Sequence, residues 1–350
     1  MTPDTTEPIA PYPLVFEPIF KEKVWGGRRL EGLGKNIPPD ALIGESWELA
    51  DLGATSASGG GGGAARSVII NGPLAGKTIS HACAAWADAL FGACKPAPHN
   101  AFPLLVKYLD AREHLSVQVH PSPAYCRAHP EAHLKTECWF VLDAEPGSVI
   151  FKGVRRGVTP AKFREALSQG QGESVVTLLE SVPAIPGECH NLPSGTVHAL
   201  GAGVLVAEVQ TPSDTTFRVY DWANEYGRKG RELHVDASLA CIQFEPARDA
   251  TRIAEGDRTA RHVATGYFDI DELRVAPGTP FDLAIKDAQP RPQVLMLLNG
   301  RGSIRSREGR FHGVSLAHGQ TALIPASIAQ DALLVAERDS TALRTDVRGV

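Results

Sequence analysis

Along much of the chain apolar and polar positions alternate with a period of two, the pattern of half-buried strands. In LSVQVH, Leu115, Val117 and Val119 fall on one face and Ser116, Gln118 and His120 on the other. KTECW places Lys135, Glu137 and Trp139 together on one face of a second such segment. A helical period interrupts the alternation over residues 78–91, where Ile79, Cys83, Trp86, Ala87, Leu90 and Phe91 share one face and predict an amphipathic helix. Residues 160–168, opened by Pro160, predict another, and a helical patch is expected near 234–242. The run SASGGGGG, residues 56–63, reads as a flexible loop, because it lacks the Lys-Ser/Thr ending of a phosphate-binding loop.

These elements predict a mainly β protein in three parts. Residues 1–13 read as a disordered tail, 14–250 as a metal-binding catalytic domain with a helical insertion around 78–95, and 251–350 as a second domain. Gly187, Pro193, Gly195 and His198 have the spacing G-x5-P-x-G-x2-H, which resembles the second motif of the cupin superfamily. Near the C-terminus Gly319 and Pro325 repeat the Gly187 and Pro193 spacing, but Gln330 stands where His198 would recur. QVLMLLNGRGSI there reads as strand, Asn-Gly turn, strand. The fold implied is two cupin-type (jelly-roll) β-barrels, the second having kept the turn and lost the metal.

Composition narrows the class. The 350 residues are 43% hydrophobic and 21% charged, enough for a large core and more than one domain. A net charge of −5 argues against general nucleic-acid binding. Apolar runs are too short to span a membrane, and no charged segment followed by an apolar stretch opens the chain. Cys83, Cys94, Cys126, Cys138, Cys189 and Cys241 form no C-x2-C pair and read as reduced cytoplasmic thiols.

The chemistry lies in three strand-like segments that carry Gln118, His120, Glu137 and His198. A buried carboxylate is costly without a partner, and a divalent cation is a partner that keeps it charged. Two histidines, a glutamate and a glutamine form an open, mixed site suited to one non-redox Zn²⁺ per chain, unlike a closed thiolate site. The ion would retain positive charge to stabilise an anionic intermediate. Lys135 shares the Glu137 face and is a candidate base, and the Arg218 guanidinium suits an anionic oxygen or a phosphate. The alternatives are a cupin that binds metal or sugar without turnover, which would not need Lys135 and Arg218, and a cupin dioxygenase, whose iron triad requires no amide.

LLVKYLDAREHLSVQVHP, KTECWFVLD, LPSGTVHALGAG and SDTTFRVYDW, preceded by FKEKVWGG and GESWELAD, resemble the short bacterial form of the type I mannose-6-phosphate isomerases. The resemblance implies interconversion of mannose 6-phosphate and fructose 6-phosphate, with zinc on Gln118, His120, Glu137 and His198. It implies a phosphate contact at Ser116 and substrate handling or proton transfer at Lys135, Asp214 and Arg218. Leu134 stands where longer members carry a histidine, so no proton relay can run through that position. The implied partner is a small phosphosugar, with no nucleic acid or membrane, and the chain is expected to be a monomer or homodimer.

Overall fold

The structure, a computed structural model, describes residues 9–53, 63–168, 172–286 and 288–350. It is mainly β, built from antiparallel sheets. The chain divides into two compact units. One gathers residues 18–66 and 104–255, the other 1–17, 67–103 and 256–350. The helical segment expected as an insertion in the metal-bearing domain therefore clusters with the C-terminal residues instead. Its backbone explains why: Ala93 N–H donates to Pro290 O at 2.9 Å and Lys95 N–H to Arg348 O at 3.0 Å.

Among the described residues, the first unit pairs a seven-stranded sheet with a five-stranded one. The five-stranded sheet sets the site. Its cross-strand register places Lys152 opposite His198, His198 opposite Gln118, and Gln118 opposite Arg218. Directly opposed residues share a face, so these four side chains form one polar row. The other face carries Val117, Val119, Phe151, Ala199, Phe217 and Val219, all buried in one apolar cluster beneath the 160–168 and 235–241 helices. Each Val or Phe side chain among them contributes roughly 1.5–3 kcal/mol by leaving water. A one-residue slip would exchange the two faces, so the apolar cluster holds the polar row in register.

The second unit has a six-stranded and a four-stranded sheet. Its strands Gln293–Asn299 and Arg301–Ser306 flank Gly300 but do not pair with each other. The former pairs with Thr321–Ile324 and Ser340–Val347, the latter with Val314–Ala317 and Ala332–Ala336. The Asn-Gly turn thus crosses between sheets and does not close a hairpin. The predicted 78–91 helix is two, Ile79–Trp86 and Asp88–Phe91, broken at Ala87 with φ of 38°. The expected disordered tail also needs correction over residues 9–13. Tyr12 is buried, its hydroxyl donates to Asn71 O at 3.0 Å and accepts from Leu74 N–H at 2.8 Å, and Trp86 Nε1 donates to Ile9 O. A large aromatic anchor with both hydrogen-bonding roles filled orders that segment. Residues 1–8, and most of the glycine run at 54–62, lie outside the described residues.

The turn that delivers His198 depends on Gly195, whose φ is 89° and whose N–H donates to His120 O at 2.9 Å. A Cβ there would lie 2.8 Å from Gln243 Cγ and 2.9 Å from Cys241 O. Gly195→Ala is expected to destabilise the protein by at least roughly 1–2 kcal/mol from backbone strain alone, with the crowding adding to it. Chemical denaturation of parent and variant measures this, and equal stabilities would contradict it.

Candidate metal centre

His120, Glu137 and His198 converge from three strand segments, each at most 1% exposed. Glu137 Oε1 lies 3.0 Å from His198 Nε2, and Oε2 lies 3.5 Å from His120 Nε2. The other ring nitrogens fix the tautomers. His120 Nδ1 is 2.9 Å from Thr215 O and His198 Nδ1 is 2.8 Å from Thr196 O. A carbonyl only accepts, so both Nδ1 atoms carry a proton and each ring turns its Nε2 toward Glu137.

Lone pairs facing a carboxylate make no hydrogen bond. Neither His120 Nε2 nor either Glu137 oxygen has an aligned hydrogen-bond partner, although the Lys135 ammonium ion-pairs with Oε2 at 2.9 Å. Burial, followed by the Lys135 charge, pushes His120 down to about 3 against the pull of Glu137, so protonation does not relieve the conflict at neutral pH. Burial would raise the Glu137 carboxyl, but the Lys135 charge beside it holds it well below the usual carboxylate range. The trio fits a divalent cation. For bonds of about 2.0–2.1 Å, the ligands of a tetrahedral ion sit about 3.3–3.4 Å apart, close to the separations between Glu137 and the two rings. The Gln118 amide lies 3.3 Å from His198 Nε2. Turned to present its oxygen, it would make a fourth ligand.

The remaining predicted residues meet at a cavity beside this trio, lined by Ser116, Gln118, Lys135, Asp214 and Arg218. The SDTT sequence does more than turn the chain. Ser213 Oγ donates to His133 O at 3.0 Å, Thr211 Oγ1 to Leu134 O at 3.1 Å, and His133 N–H to Thr215 Oγ1 at 3.0 Å. These bonds lace residues 211–215 to the segment that presents Lys135. Arg218 Nη1 donates to Glu232 O at 2.8 Å, while its Nε is 3.9 Å from Asp221. Asp221 is held instead by Arg231, through the backbone N–H at 2.8 Å and Nε at 2.7 Å. Arg218 is therefore not committed to that carboxylate.

A second charged row escaped the sequence reading. Trp47, Lys107, Glu208 and Trp139 stand opposite one another across neighbouring strands. Lys107 Nζ lies 3.0 Å from Glu208 and 3.5 Å from Glu45, and Lys23 lies 3.2 Å from Glu45. Trp139 Nε1 donates to Glu208 at 2.9 Å and Trp47 Nε1 to Glu45 at 2.7 Å. Although burial opposes it, Glu208 and Glu45 hold Lys107 above its ordinary value, so Lys107 is a fixed cation and no base. Glu45, opposed by burial but flanked by Lys107 and Lys23, falls to about 2. The available signal was Lys107 inside the apolar stretch LLVKYL and Glu208 inside the apolar strand VLVAEVQ.

The paired sheets and this centre define a metal-binding protein of cupin type. Residues 14–143 match the family model described as phosphomannose isomerase type I, catalytic domain. GmuF of Bacillus subtilis, named a probable mannose-6-phosphate isomerase, is 34% identical over 310 residues, covering 86% of this chain and 88% of its own. The mannose-6-phosphate isomerase of Streptococcus mutans is 33% identical over 299 residues, 83% of this chain and 86% of its own. The solved mannose 6-phosphate isomerase of Bacillus subtilis has a TM-score of 0.76 to this chain at 27% identity, covering 96% of this chain and 99% of the other. The chain belongs to the type I mannose-6-phosphate isomerase family.

The buried trio carries a pH signature once metal is removed. His120 titrates near 3 in the fold against an ordinary 6.5, so below about 6.5 the unfolded chain takes up a proton that the folded chain refuses. Stability should fall as pH drops from there toward 3, and Glu137, depressed below its ordinary 4.5, adds a further loss in the acid range. Melting of chelator-treated protein between about pH 7.5 and pH 5 should show a falling Tm that His120→Gln makes shallower. A flat profile in the parent would contradict the buried neutral imidazole.

Proposed function

We propose that this protein interconverts mannose 6-phosphate and fructose 6-phosphate by moving a proton between C1 and C2 through an enediolate. The observation that carries the reading is the convergence of two imidazole Nε2 atoms on Glu137, beside a cavity that also presents Lys135, Arg218 and Ser116. His120, His198, Glu137 and Gln118 would hold one Zn²⁺ per chain. When bound, the ion supplies Lewis-acid charge for the oxygen that becomes anionic.

The chain's own groups do the rest. Lys135, 2.9 Å from Glu137 and on the cavity wall, is the group placed to serve as base. Lys107 is excluded from that role by its two carboxylates. Arg218 stays protonated and presents a fork to enediolate or phosphate oxygens, with Ser116 and Asp214 as polar contacts on the same cavity wall. Proton transfer between adjacent carbons is redox-neutral for the enzyme, so two nitrogen ligands with a carboxylate and an amide suit a metal that changes no oxidation state. The cysteines, described as free thiols, fit a reducing cytoplasm, and we read the assembly as a monomer or homodimer acting in carbohydrate metabolism.

A coupled assay with mannose 6-phosphate tests the reading. Turnover should disappear on chelation and return with zinc. Turnover indifferent to chelation, or absent from the metal-loaded protein, would refute it. Metal analysis should find one tight equivalent, lost when His120 and His198 are both replaced by alanine.

Glu137→Ala and His198→Ala should lower kcat far more than tenfold, that is by well over about 1.4 kcal/mol of barrier, while near-native circular dichroism is retained. Arg218→Lys should stay folded and lose much of its kcat/KM, because an ammonium cannot reproduce the fork. An unchanged kcat/KM would return Arg218 to a structural role. With deuterium at C2 of mannose 6-phosphate, turnover should slow and part of the label should reach solvent. Full retention together with an active Lys135→Ala enzyme would defeat the Lys135 mechanism.

A further inference from the structure

The face that bears the metal ligands continues past His198 to Lys152, and there it meets a second cleft. This cleft measures about 790 Å³, within the range of small-molecule sites. It shares no lining residue with the cavity at Ser116 and Arg218. Two buried polar side chains face into it unsatisfied. Lys152 is 4% exposed and its Nζ has no hydrogen-bond partner; His190 is 1% exposed and neither ring nitrogen has one. Native folds rarely leave a buried ammonium and a buried imidazole both unpartnered.

The cleft is built, not frayed. Its outer wall, residues 246–250, is tethered on both sides: Gln243 N–H donates to Gly195 O at 2.8 Å, and the strand Thr251–Arg252 pairs with Glu188 and Cys189. Gly153, with φ of 77°, lets Ala247 sit so close that a Cβ would meet its methyl at 2.9 Å. Val154, Val182 and Ile185 supply apolar surface beside the polar pair.

The side chains select the ligand's charge. Glu180, Glu188 and Asp249 line the cleft against Lys152, Arg156 and Arg248, so acidic and basic side chains balance and the unpartnered pair decides. Glu188 is 3.7 Å from His190 Nε2, beyond hydrogen-bonding reach, and an ammonium beside one imidazole makes a poor cation site. Burial, followed by the Lys152 charge, pushes His190 down to about 4, so its ring is neutral near pH 7 and offers one N–H. A buried ammonium with an adjacent N–H donor instead suits an oxyanion.

We propose that this cleft is a second ligand site that takes a small oxyanion-bearing metabolite, a phosphate ester or a carboxylate, with its anionic group on Lys152 and a hydrogen bond from His190. The site is independent of the isomerase centre and would bind whether or not Arg218 is intact.

Calorimetric titration of the metal-loaded protein with inorganic phosphate, and separately with succinate, tests it. In the Arg218→Met background a site for at least one of the two anions should remain. Adding Lys152→Met, or His190→Leu as a second variant, should weaken that site at least tenfold. Binding of phosphate alone assigns the phosphate-ester source, and binding of succinate alone the carboxylate source. Thermal melting gives a readout independent of affinity. Lys152→Met should melt higher than the parent in anion-free buffer, because an unpaired buried charge is gone, and should no longer be raised by the anion. Neither anion binding in the Arg218→Met background, or an affinity unchanged within threefold by both Lys152→Met and His190→Leu, would overturn the proposal.

Discussion

Two imidazoles and a carboxylate, all buried, are aimed at one point. Thr215 O and Thr196 O accept from Nδ1 of His120 and His198, which turns the Nε2 of each ring toward the oxygens of Glu137. In a buried, weakly screened setting the lone pair of a neutral His120 repels the carboxylate, and a cation bound between them would relieve that repulsion. The backbone carbonyls therefore matter as much as the ligands, since rotating either imidazole would end the convergence.

The sheets make this arrangement possible by separating the tasks of their two faces. The apolar face of the five-stranded sheet, with Val117, Phe151, Ala199 and Phe217, supplies burial that requires no ion. The opposite face can then carry Lys152, His198, Gln118 and Arg218 in one row. In the neighbouring sheet Lys107 and Lys23 offset Glu208 and Glu45, and the two carboxylates accept from the indole N–H groups of Trp139 and Trp47. That row is rigid and charged but proton-locked, while Lys135 has its nearby counter-charge on a metal ligand. The difference between the two lysines is one of partners, not of burial.

The candidate ligands could be singled out in the sequence because each sits in a local pattern: Gln118 and His120 on one face of an alternating strand, Glu137 among strand formers, His198 after a Gly/Pro turn. The 160–168 helix was legible for the same reason, beginning at Pro160 and burying Phe163 and Ala166. What failed depends on distant partners. Lys107 acquires meaning only from Glu45 and Glu208, which long-range pairing brings opposite or beside it. The Asn299–Gly300 turn looks like a hairpin locally, yet its strands find partners in different sheets. Tyr12 anchors residues 9–13 through Asn71 and Leu74, and residues 67–103 cluster with the C-terminal segment, neither of which a local period records.

The central claim is that an ion sits between His120, His198 and Glu137, with Gln118 completing the set. X-ray absorption at the zinc edge of the metal-loaded protein tests it most directly. The account predicts a first shell of nitrogen and oxygen only, at about 2.0–2.1 Å, with the outer-shell scattering of two imidazoles. A sulfur shell at about 2.3 Å, or a shell without imidazole, would contradict it.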